Sequence, residues 1–103
     1  MLGQRELALE FAIKASNADP HDAGLLANVA LEALLLGRMA EAVTLVEKAL
    51  AKDPSDRVTK ALHSVTTYIA NGHAPCPTSL LELERLGAKL AASGAIPDAP
   101  LRT

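Results

Sequence analysis

His63, His73 and Cys76 are the residues of this chain whose types could bind a metal. Structural zinc is closed by four ligands, usually in C-x-x-C or H-x3-5-H spacing. Here there are three, irregularly spaced, and His63 falls inside a helical pattern, so no metal centre is expected. Cys76 could serve as a nucleophile, but a reactive thiolate needs a nearby cation or helix N-terminus to lower its pKa. No such group clearly serves it ahead of Ser79, and the thiol is expected to be inert. Glu82 and Glu84 lie two apart on a helical pattern, so they point in different directions and make no acid/base pair. The chain has no glycine-rich phosphate loop, no nucleophile elbow and no Ser/His/Asp grouping. A non-enzymatic protein without cofactor is expected.

The elements that position these residues are helical. Half of the 103 residues are hydrophobic, mostly Ala and Leu, while Phe11 and Tyr68 are the two aromatics. Ala and Leu favour helices, and the residues that fill strands are few. The length allows one domain at most. Ten basic and twelve acidic residues give a net charge of -2 without a basic run, which argues against a nucleic-acid partner. A single cysteine forms no internal disulfide and suits a reducing compartment. The start lacks the basic-then-apolar pattern of a secretory signal, and the longest near-apolar run, residues 25–37, is too short to span a bilayer. A soluble, cytoplasmic, all-α chain is expected, with no membrane association.

Five helices can be read in order. Residues 4–18 place Leu7, Ala8, Phe11, Ala12 and Ala15 on one face, with Glu10 and Lys14 as an i, i+4 pair on the polar side. Asp19-Pro20 ends this helix. Asp22 is the expected N-cap of the second, over residues 23–36, which is apolar nearly all round and must be covered on more than one side. Gly37 closes it, and a third helix over residues 39–51 stops at Asp53-Pro54. Ser55 is the expected cap of a fourth helix, over residues 56–68 or slightly beyond, with Val58, Ala61, Leu62, Val65, Tyr68 and Ile69 as its apolar stripe. Asn71-Gly72 stops it, and residues 72–78, with Pro75 and Pro77, form a stiff connection. Ser79 and Glu82 make a capping box for a fifth helix ending near Gly94, with Leu80, Leu83, Leu86 and Leu90 on its apolar face. The tail, residues 95–103, is expected to be loose.

Residues 37–54 repeat residues 3–20 at a period of 34. Leu2, Gly3, Ala8, Lys14, Ala15, Asp19 and Pro20 coincide with Leu36, Gly37, Ala42, Lys48, Ala49, Asp53 and Pro54, seven identities in 19 aligned pairs. Residues 23–56 carry Ala30, Gly37, Ala42, Val46, Ala49 and Pro54 in the order that a tetratricopeptide repeat uses for its small, turn, core and terminal positions. The chain therefore resembles that family over residues 2 to about 71, as one full repeat with partial flanking repeats. The aromatic places of helix A hold Leu26 and Ala33, and Pro75 and Pro77 would break the next helix B, so helices four and five look like a divergent end. The resemblance implies a short solenoid of about five antiparallel helices, a domain of residues 1–94.

It also implies a protein or peptide ligand on the concave surface lined by A helices. That surface would hold Gly24, Ala27, Asn28, Leu31, Leu34 and Leu35 of helix two, with Val58, Ala61, Leu62 and Val65 of helix four. Asn28 stands where related modules offer an Asn to a ligand backbone. Ala27, Val58 and Leu62 occupy the Lys and Arg places of the carboxylate-clamp variety, so a C-terminal carboxylate is not expected as ligand. The same leucines would equally serve as core, with helix five folded back over them. Residues 1–20 match only the end of a helix A and a helix B, leaving Leu7 and Phe11 at or beside a face that upstream repeats or a second copy would cover. A homodimer through Leu7 and Phe11 is expected. The alternative reading is the repeat portion of a larger bacterial enzyme, such as a glycosyltransferase or sulfotransferase, whose catalytic part lies outside these residues.

Overall fold

Two carboxylates 34 positions apart set the frame of the fold. Asp22 Oδ1 accepts from the Leu25 N–H at 3.2 Å, and Asp56 Oδ2 accepts from the Thr59 N–H at 2.8 Å. Each satisfies a donor that a helix start would leave unpaired. The computed structural model describes residues 2–94, Leu2 by its backbone, and the expected loose tail lies outside them. They form five helices: α1 Leu2–Ala18, α2 Ala23–Leu35, α3 Met39–Lys52, α4 Arg57–Ala70 and α5 Leu80–Ala92. No strand occurs among the described residues, and no helix there is long and apolar enough to cross a membrane.

The cap of α4 corrects one expectation. Asp56, not Ser55, is its N-cap. Ser55 is engaged one turn earlier, donating its N–H and its hydroxyl to Asp53 Oδ1 at 3.1 and 2.7 Å. These bonds also hold the Asp53 carboxyl below the usual carboxylate range. Helix ends α2 and α4 follow one design. Gly37 and Gly72 take positive φ (79° and 82°), and the next residue's N–H reaches back to Ala33 and Tyr68 at 2.9 and 3.2 Å. Only glycine takes that conformation without a steric penalty, so both helices end there.

α2 packs against α1, α3 and α4, which explains its all-round apolar sequence. Eight of its residues are buried, including Ala30, Ala33 and Leu34. Ala42, Val46 and Ala49 are the buried face of α3, and their small size lets the two helices approach closely. Ala61, Leu62, Val65 and Ile69 of α4 complete the core with Leu83 and Leu90 of α5. α5 lies against α4.

α1 packs through Leu9, a residue outside its expected apolar face, while Leu7 and Phe11, expected at or beside an uncovered face, are 49% and 61% exposed. The polar link of α1 is also not Glu10 to Lys14, which make no ion pair. Instead Arg5 Nη1 lies 3.0 Å from Glu32 Oε1 of α2. An exposed i, i+4 pair gains little in water, whereas this one joins two helices.

Candidate interaction surface

The surface expected to bind a partner between α2 and α4 is largely closed. Ala27, Leu31, Leu34, Leu35 and Leu62 are all buried, in one cluster with Val46, Val65, Ile69, Leu83 and Leu90. The correction has a plain physical cause. α5 and the segment before it lie over these side chains, and burying leucine stabilises a short chain by about 1.5–3 kcal/mol per residue. Gly24 and Asn28 remain exposed and Val58 is half-buried, too little apolar surface for a groove. Gly24 has a local role instead: a Cβ there would come within 3.2 Å of the capping Asp22 Oδ1.

The residues with chemistry do not gather into one centre. No group of three His, Cys, Asp or Glu side chains that could hold a metal occurs among the described residues. His73 is exposed and its ring lies against Tyr68, with centroids 5.0 Å apart. Cys76 is half-buried and donates its thiol to the Leu34 carbonyl oxygen at 3.2 Å; burial pushes its pKa up. Glu82 Oε2 accepts from the N–H and the hydroxyl of Thr78, both at 2.7 Å, and Ser79 Oγ accepts from the Glu82 N–H. The capping box is thus present but shifted by one residue, and it lowers the Glu82 pKa. A cleft of about 330 Å3 opens between these residues, lined by Pro75, Cys76, Glu82, Arg85 and Leu86. Nothing in it activates the thiol, since Cys76 points at a backbone carbonyl and its proton is held more tightly than usual.

What the fold leaves uncovered is the outer face of α1. Leu9 stands two positions from both Leu7 and Phe11, about 200° round the helix from each. Packing Leu9 on α2 therefore turns Leu7 and Phe11 outward. Gln4, Ala15 and Ala18 are exposed along the same line. Among the described residues Ile13 and Leu81, at 40% and 56%, are the other large exposed apolar side chains, and the helical pattern marks neither. Ile13 lies on the edge of a second hollow of about 230 Å3, floored by Leu26 and Val29 of α2. Its position two residues from Phe11 and four from Leu9 could have marked it as a flank of the packed face. No family model, curated protein or solved structure matches the chain.

Proposed function

We propose that this chain is a non-enzymatic interaction module, related to the tetratricopeptide repeats, that self-associates through the outer face of α1. The observation that carries this reading is the exposure of Leu7 and Phe11 on a helix whose opposite face is already packed. A contiguous apolar line on a surface marks an interaction site more often than isolated exposed leucines do. The 34-residue period supports the family relationship, since α2 and α4 begin 34 positions apart and α1 and α3 end 34 positions apart. The engagement of Cys76 and Glu82 in structural hydrogen bonds supports a binding role over a catalytic one. A single unpaired thiol suits a reducing, cytoplasmic setting.

Sedimentation equilibrium tests the proposal. The wild-type chain should behave as a dimer at micromolar concentration. Phe11→Glu places a charge on the uncovered face and should give a monomer with unchanged helical circular dichroism. A wild type that stays monomeric at the highest soluble concentration would overturn the reading.

A further inference from the structure

We infer that the partner of α1 is α1 of a second copy, laid antiparallel across a two-fold axis at Phe11. This rests on the self-association reading above and adds the geometry. The exposed line Gln4, Leu7, Phe11, Ala15 and Ala18 is spaced symmetrically about its centre. Leu7 and Ala15 are each four residues from Phe11, and Gln4 and Ala18 are each seven. A two-fold interface requires that if one residue meets another, the second meets the first. An antiparallel pair centred on Phe11 satisfies this along the whole line. It sets Leu7 of one copy on Ala15 of the other, so a large side chain meets a small one at both ends. A parallel pair would instead set Ala15 on Ala15 and leave a gap beside the two phenylalanines. Tight packing favours the first arrangement.

Charge agrees with size. Glu6, Glu10 and Lys14 lie along one flank of the line, with the acids toward the N-terminal half and the lysine toward the C-terminal half. In an antiparallel pair the same flank of both copies meets, so Lys14 of each copy comes beside Glu10 and Glu6 of the other. Opposite charges there fix register and suppress other alignments. The line spans about 21 Å at 1.5 Å per residue, long enough for an extended helix–helix contact.

Engineered cysteines test the geometry in a Cys76→Ser background, in the full 103-residue chain. Phe11→Cys should form a disulfide-linked dimer on mild oxidation. Mixing Leu7→Cys with Ala15→Cys chains should give the crossed dimer, which retains Phe11 at the centre. Leu7→Cys alone should link at least about tenfold less, because its two copies would lie about 12 Å apart along the helices, beyond the Cα span of a disulfide. Leu7→Cys linking to itself as readily as Phe11→Cys would mean a parallel pair and overturn the inference. A dimer in sedimentation with none of these links would also overturn it, while leaving self-association standing. A monomeric wild type would remove both.

Discussion

Cys76 donates its thiol to the carbonyl oxygen of Leu34, 3.2 Å away and 42 positions back in the chain. The same carbonyl accepts the Gly37 N–H at 2.9 Å, so the last turn of α2 is held both by its own glycine stop and by the proline-flanked segment. Pro75 and Pro77 restrict the backbone on either side of Cys76, which lowers the entropy lost when the segment docks. Fixing Cys76 on α2 directs α5 toward the face of α2 and α4, where Leu83 and Leu90 enter the core. The closure of the expected concave surface therefore begins at this contact.

Cys76 should react slowly with alkylating reagents. Burial raises its pKa above the ordinary 9.0, so little thiolate is present at neutral pH. Rates of alkylation in native and urea-unfolded chain should differ, with the unfolded chain faster and its apparent pKa lower. The sign for stability follows. A raised folded pKa means the unfolded state loses its proton first, so this contribution is full below pH 9 and declines as pH rises further. A native rate equal to the unfolded rate would show that the thiol is not docked on Leu34.

Ala49 is fully buried in the contact between α2 and α3, where the helices approach closely. Ala49→Leu adds three carbons where no space exists, and should cost about 1–3 kcal/mol through overpacking. Urea denaturation followed by circular dichroism measures this directly. Ala51→Leu, two residues on at an exposed position, is the control and should change stability by no more than about 0.5 kcal/mol.

Much of this fold could be read from the sequence because its signals are local. Asp22, Ser79, Gly37 and Gly72 act within four residues of themselves, and each stands at the helix end expected of it. Ser55 departs from its expected role for a local reason too: two candidate caps stand side by side, and only geometry shows that Asp53 has already taken the serine. The interaction surface was harder. A row of leucines has the same period whether it lines a groove or fills a core, and what decides is the distant docking of Cys76 and α5. α1 carries apolar residues on two faces, so periodicity alone could not say that Leu9 packs inward. The exposure of Leu7 and Phe11 then follows from Leu9.

The start of α5 should be pH-sensitive. The Thr78 N–H and hydroxyl hold Glu82 as a carboxylate, and its lowered pKa means this support is present above pH 4.5 and fades as pH falls through the folded value. The backbone N–H is the largest contribution and the hydroxyl the next, so Thr78→Ala should reduce the depression without abolishing it. Thr78→Pro removes both Thr78 donors and should raise the Glu82 pKa toward the ordinary range, leaving only the smaller contribution of the Ser79 N–H. Carboxyl chemical shifts recorded across an acid titration report this for the single residue. Separately, Ser79→Ala removes the cap on the Glu82 N–H and should cost about 0.5–2 kcal/mol at neutral pH. A Glu82 that titrates in both Thr78 variants as it does in the wild type would mean that the Thr78 contacts do not persist in solution.

Leu7 and Leu9 offer the sharpest internal contrast, since they are one residue type, two positions apart on one helix. Leu9 is 7% exposed and Leu7 49%. Leu9→Ala removes the main apolar anchor of α1 on α2, and should cost about 2–5 kcal/mol if α1 unfolds with the rest. Were α1 to detach alone, the loss would appear as faster amide exchange confined to residues 2–18, because Arg5 to Glu32 is the remaining polar link and a part-exposed ion pair supplies only about 0.2–1 kcal/mol. Leu7→Ala trims a side chain that is about half exposed, and at concentrations too low for association it should cost well under the Leu9→Ala value, at most about 1 kcal/mol. Raising the concentration should separate the two again. A dimer stabilises the folded state by mass action, so the Leu7→Ala chain should gain less stability on concentration than wild type. Equal costs for the two substitutions in dilute solution would mean that α1 rests on α2 by the Leu7 and Phe11 face, and that the outer surface lies elsewhere.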